Sequence, residues 1–304
     1  MTGLMHASAL AILFLSITSA SAKPPKKFWF SFGDSYSQTW FNVTGVQPNY
    51  ANPLGNPGFP GWTACAGPVN NWVTQTTAQL NSSFVYVYNH AYGGAVIDDA
   101  LVTPWKPGLK HLYAQVDDFL NYDAPGKSFY PGWKGDNSIF AFWIGINDIG
   151  NSYYLDKEGD ANHTIFNQKL VDRYFEIVDK TVTAGARNFI FLSVPPIERS
   201  PLMLTIADDA AHAREKQIRQ DYNARVKAAA KQLSKKKKGV TTWFYDTEPV
   251  YNFVLDHPRL FGITNSTAYG DGAQYAWCND YHSSPTMNLQ VAKGVAAILR
   301  PRFI

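Results

Sequence analysis

The sequence has little with which to staple itself together, hold a metal or grip a polyanion. Two cysteines among 304 residues exclude a small scaffold built on disulfides. No group of histidines and cysteines shows the short spacing of a metal-ligand set, so neither a metal nor another cofactor is expected. Only 17% of the residues are charged, the net charge is +3, and no basic stripe occurs, which leaves no electrostatic case for a nucleic-acid partner. Beyond the first residues no apolar run approaches the roughly 20 residues that span a bilayer, so no membrane partner is expected either. There is no internal repeat and no linker-like stretch to divide the chain. Against these absences stand 45% hydrophobic and 15% aromatic residues, which exclude a disordered chain. At this length a globular unit buries about 75% of its unfolded surface.

Residues 1–22 contain no Lys, Arg, Asp or Glu, carry an apolar stretch from Ala9 to Ile17 and end in Ala20-Ser21-Ala22. This pattern predicts a secretory signal peptide cleaved after Ala22, leaving residues 23–304 as one secreted, extracellular domain. The alternative, a membrane anchor, needs a longer apolar run. Export makes two other features readable. Asn42, Asn81, Asn162 and Asn265 each open an Asn-x-Ser/Thr acceptor for glycosylation. Cys65 and Cys278 meet an oxidising compartment and are expected to form a disulfide, the alternative being two buried thiols.

Five short runs rich in β-branched and aromatic residues, Phe28–Phe32, Phe84–Tyr88, Ile139–Ile144, Phe189–Val194 and Thr241–Tyr245, predict strands. Between and after them, Leu109–Leu120, Gln168–Ala184, Asp209–Leu233 and Met287–Leu299 place apolar residues three and four apart, which predicts helices. Strands alternating with helices imply an α/β fold: a parallel five-stranded sheet covered on both faces, a three-layer sandwich. Residues 42–71 are dense in Gly, Pro and Asn and predict an irregular loop. Lys235–Lys238 is read as a solvated helix end whose cations oppose the negative pole of the helix dipole.

The first strand runs into Gly33-Asp34-Ser35, which puts a serine at the carboxyl edge of the sheet, where open α/β folds bind ligands. Taken alone, Asp34 or Ser35 could equally cap the turn that follows. The second strand runs into Asn89-His90-Ala91-Tyr92-Gly93-Gly94, and the third into Gly145-Ile146-Asn147-Asp148. A backbone amide at Gly94, with Gly93 as the alternative register, the Asn147 side chain and the Ser35 amide would together make an oxyanion hole. Ser35 needs a base, and His282, in Asn279-Asp280-Tyr281-His282 before the last helix, is the histidine a loop could carry to the sheet edge. His111 and His212 fall in helical patterns and read as surface residues. Trp40, Trp62, Trp72 and Trp105 lie in loops near the first two motifs, as stacking faces for a sugar ring or as core and rim aromatics.

These four motifs, in this order, resemble the blocks of the GDSL or SGNH hydrolases. Phe30–Ser37, Ser193-Val194-Pro195-Pro196-Ile197 and Tyr245-Asp246 make the chain most similar to the fungal secreted acetylesterases that act on carbohydrates. The resemblance implies a flavodoxin-like SGNH hydrolase fold, with Ser35 as nucleophile, His282 as base, and Gly94 and Asn147 as oxyanion donors. The family places an acid three residues before the histidine. Here Asn279 stands there and Asp280 follows it, so either Asp280 orients His282 or Asn279 or a carbonyl does; Asp280 is the preferred reading. The expected activity is that of a monomeric serine esterase taking acetyl groups from an acetylated sugar or oligosaccharide. A lipase or lysophospholipase, and a non-catalytic carbohydrate-binding protein, are the alternatives.

Overall fold

The structure is a computed structural model that describes residues 26–81, 83–156, 163–300 and 303. The expected signal peptide and the Asn162 acceptor lie outside the described residues. Five strands form the central sheet: β1 (Lys27–Gly33), β2 (Val85–Asn89), β3 (Ser138–Trp143), β4 (Asn188–Leu192) and β5 (Thr241–Tyr245). All neighbours pair parallel, in the order β2-β1-β3-β4-β5. β3 and β4 are buried at every position because both faces of the sheet are covered, which is why they read as unbroken apolar runs.

On one side pack α1 (Leu112–Asp118), α2 (Thr164–Thr183) and α3 (Asp209–Lys236); on the other, α4 (Glu248–Asp256), α5 (Pro285–Leu299) and the short helical stretch Trp72–Gln79. Between the first group and the sheet lies an aromatic ladder in register across three strands: Phe32 and Phe142 stack at 4.8 Å between ring centres, and Phe142 and Phe191 at 5.7 Å. Stacks of this kind are worth about 0.5–1.5 kcal/mol each beyond the area they bury. On the opposite face Trp72 sits between Trp29 and Trp143, fully buried, with its indole N–H donating to Ser37 Oγ at 3.1 Å. Trp72 is therefore a core residue and is removed from the stacking faces considered above.

His111 also departs from expectation. It is buried at the start of α1, where its Nδ1 accepts the Val96 N–H at 3.2 Å. The two-stranded pair β6 (Asn265–Tyr269) and β7 (Tyr275–Trp277) leads the chain toward His282.

The strand order reverses direction between β1 and β3, and a crevice forms at the carboxyl ends of strands on either side of such a point. Ser35, the Gly93-Gly94 turn and Asn147 follow β1, β2 and β3, so the topology alone brings the three motifs to one edge. Among the described residues no helix is long and apolar enough to cross a membrane.

Candidate active site

Ser35 is presented by a turn that its neighbours close. A Cβ on Gly33 would lie 2.1 Å from the Trp143 carbonyl oxygen, so only glycine lets β1 run this near the end of β3. Asp34 then caps the turn: its Oδ1 accepts the Tyr36 N–H at 2.9 Å, and its carbonyl accepts from Ser37 at 3.1 Å and Gln38 at 3.0 Å. Capping thus belongs to Asp34, which leaves the Ser35 hydroxyl free. Burial pushes the Asp34 carboxyl up to about 8, against the pull of the Tyr36 N–H.

The loop after β7 carries His282 over that turn. Cys278 N–H donates to the His282 carbonyl at 2.9 Å, closing the loop on itself, and the Tyr36 hydroxyl donates to the Tyr281 carbonyl. Cys65 and Cys278 form the expected disulfide, with an S–S distance of 2.03 Å, across 213 residues of chain. It fastens the irregular 42–71 loop to the histidine loop. His282 Nε2 lies 2.7 Å from Ser35 Oγ.

The other ring nitrogen corrects the expected triad. His282 Nδ1 is 2.8 Å from Asn279 Oδ1, and Asp280 is exposed, with only its main-chain carbonyl engaged among the described residues, by the Leu202 N–H at 2.8 Å. Asn279 Oδ1 also accepts the N–H groups of Tyr281 at 3.0 Å and His282 at 2.8 Å, while its Nδ2 donates to the Ala64 carbonyl at 2.9 Å. These donors define which end of the amide faces the ring, so Nδ1 carries the proton and Nε2 is left to accept one from Ser35. The reason is register: the turn that Asn279 caps points its own side chain at the imidazole and sends the next one outward. Burial holds the imidazole down near 4, with no carboxylate bonded to it to oppose the shift.

The expected oxyanion donors all lie in the lining of the same cleft as Ser35. A Cβ built on Gly93 would lie 3.7 Å from Ser35 Cβ, whereas one on Gly94 would strike the Trp105 indole nitrogen at 2.2 Å. These directions describe where a side chain would go and not where the N–H groups point, so the expected Gly94 amide, with Gly93 as the alternative, stands as the glycine donor; both glycines line the cleft beside Ser35. Asn147 spends one amide hydrogen on the Ala95 carbonyl at 2.9 Å, and the second has no acceptor among the described residues. The amide hydrogens of Ser35, Gly93 and Gly94 have no acceptor among the described residues. By contrast His90, 2.9 Å from Asp123, is a buried histidine–carboxylate pair in the core on the far side of Phe32.

Ser35, Gly93, Asn147 and His282 lie in the wall of an open cleft of about 1020 Å³. Its rim holds Trp40, Trp62, Trp105 and Tyr154, each more than half exposed, and one side wall is formed by Leu202, Met203 and Ile206. The model of the GDSL-like lipase/acylhydrolase family matches residues 30–295, a span that includes all of these candidate positions. The chain belongs to that family. Among relatives of this GDSL hydrolase, an acetylesterase of Thermothelomyces thermophilus is 37% identical over 303 residues, covering 97% of both chains. An acetylesterase of Hypocrea jecorina is 24% identical over 217 residues, 65% of this chain and 58% of that one. In fold the protein is similar to the native aryl esterase of M. smegmatis, with a TM-score of 0.50 at 14% identity, covering 91% of this chain and all of the other. It is a carboxylic ester hydrolase.

Proposed function

We propose that this hydrolase is a secreted acetylesterase that removes small acyl groups from hydroxyls of a sugar or oligosaccharide through an acyl-enzyme. The observation that carries the reading is the hydrogen-bonded line Asn279 Oδ1, His282, Ser35 Oγ at the base of an aromatic cleft. His282 Nε2 takes the Ser35 proton as Oγ attacks the ester carbonyl. The N–H groups of Ser35 and Gly94, or Gly93 in the alternative register, and the second Asn147 amide hydrogen hold the oxyanion. The imidazolium then protonates the departing sugar alkoxide, and water, deprotonated by the same nitrogen, releases acetate and regenerates Ser35. Exposed tryptophan faces suit the C–H faces of a sugar ring, and the similarity to acetylesterases supports a short acyl group. Export is supported by the disulfide and by the signal-like residues 1–22.

The Leu202, Met203 and Ile206 wall favours a second reading, a lipase or lysophospholipase whose acyl chain lies along it. A substrate series separates the two. Acetylated glycosides should be hydrolysed with kcat/KM at least tenfold above long-chain esters and phospholipids; a preference for eight or more acyl carbons would replace the first reading with the second.

A further inference from the structure

Gln38 is a buried amide that the catalytic scheme above does not use. Its main chain is held at both ends: the N–H donates to the Asp34 carbonyl at 3.0 Å, and the carbonyl accepts from Asn71 Nδ2 at 3.0 Å. With the backbone fixed three residues after the nucleophile, the side chain can only run along the floor of the cleft, whose lining it joins. The residue is 5% exposed; among the described residues neither Oε1 nor Nε2 has a hydrogen-bond partner, and neither atom is fully shut off from solvent. The amide therefore faces the cleft, where a polar group of a bound substrate could take the place of water as its partner. Its position says what that partner must be near. A Cβ on Gly93 would lie 2.4 Å from Gln38 Oε1 and 3.7 Å from Ser35 Cβ, so the amide and the nucleophile flank the same face of Gly93. Trp40, two residues on, and Tyr92 lie over this corner with their rings 6.1 Å apart.

We propose that Gln38 is a specificity-determining residue that hydrogen-bonds the free hydroxyl beside the esterified one on the sugar. The assignment rests on the sugar-ester reading above. The carbonyl oxygen of the ester already has three donors, and its alkoxy oxygen faces His282, which leaves the polar groups of the alcohol portion for Gln38. A carboxamide offers both a donor and an acceptor, the complement of a hydroxyl that is also both. Sites built to hydrogen-bond a hydroxyl discriminate strongly against substrates that lack it, because their own buried groups are then left unpaired.

The test compares wild type and Gln38→Met, nearly the same in shape but without the amide, on three substrates. These are a methyl glycoside with one acetylated hydroxyl beside a free one, its deoxy counterpart lacking the free hydroxyl, and 4-nitrophenyl acetate. In wild type, removing the neighbouring hydroxyl should lower kcat/KM by about 10- to 100-fold. In Gln38→Met the ratio of glycoside to aryl-acetate kcat/KM should fall by a similar factor, and the glycoside and its deoxy counterpart should become equivalent. A ratio within threefold of wild type overturns the proposal, whether both rates drop together or neither does. If the variant does not fold, the wild-type pair decides: equal rates with and without the hydroxyl overturn it. A wild type that hydrolyses the aryl acetate but no glycoside acetate overturns the sugar-ester reading and this proposal with it. Glycoside hydrolysis with an unchanged ratio overturns this proposal alone.

Discussion

A neutral amide can orient His282, but it cannot stabilise the charge that the ring acquires in the transition state as a carboxylate does. Asn279→Ala should therefore lower kcat by about 10- to 100-fold, a loss of alignment and not of charge, whereas Asp280→Asn should stay within about twofold. Steady-state kinetics on an aryl acetate read both, and a steep loss in Asp280→Asn would restore the acid that the geometry removes. The pH profile follows from the same environment. The reaction needs neutral imidazole, and burial lowers its pKa from the ordinary 6.5 to about 4. Activity should persist as the pH falls and decline only near 4; an acid limb in kcat/KM at 6 to 7 would mean that a carboxylate supports the ring. Asn147→Ala should reduce kcat by about 10² to 10³ with little change in KM, since an oxyanion donor acts on the transition state. If Asn147 merely shapes its turn, the melting temperature will drop in step with activity.

The central strands were legible in the sequence because β3 and β4 are apolar on both faces, and the long helices because their spacing is regular. What escaped was whatever depended on register or on a distant neighbour. β6 alternates exposed and half-buried residues on a polar surface and leaves no apolar run to find. His111 carries the periodicity of α1 but sits at its first turn, where the Val96 amide claims its ring. Trp72 lies close to a glycine-rich loop in sequence and between two tryptophans in space. The meeting of Ser35, His282 and the two glycine- and asparagine-bearing turns at one cleft was readable because each directly follows a strand or precedes the last helix. Asn279 over Asp280 was not decided, since a one-residue choice within a loop depends on which way the turn points. At this scale the start of α5, just after His282, gives a direct test. The buried Ser284 Oγ caps it by accepting the Met287 N–H at 3.3 Å, so Ser284→Ala should cost about 1 kcal/mol in chemical denaturation. No measurable loss would show that the hydroxyl is dispensable as a cap.

Across the whole molecule, stability should depend on pH through an acid far from the nucleophile. Glu215 on α3 is fully buried with no hydrogen-bond partner for either oxygen among the described residues, and burial, reinforced by Glu198 and opposed by Arg219, raises its carboxyl from 4.5 to about 8. The folded state therefore holds a proton that the unfolded chain releases above 4.5. Its contribution to stability is full below 4.5 and is lost progressively as the pH rises to about 8. Glu215→Gln should gain on wild type by more than about 1 kcal/mol between pH 5 and pH 8, measured by urea unfolding at each pH. A constant difference would place the ionised carboxylate in a more polar setting than the structure gives it. The disulfide acts on the unfolded chain: closing a ring across 213 residues is worth roughly 5 kcal/mol in the loop-entropy model.

The central claim, that Ser35 is a nucleophile activated by His282, is tested most directly by covalent capture. Wild-type protein treated with a serine-reactive fluorophosphonate, digested and mapped by mass spectrometry should carry a single adduct on the peptide containing Ser35. The adduct should be absent in Ser35→Ala and form at least 100-fold more slowly in His282→Ala. Labelling that persists in Ser35→Ala, or that proceeds at the wild-type rate without His282, would contradict the account.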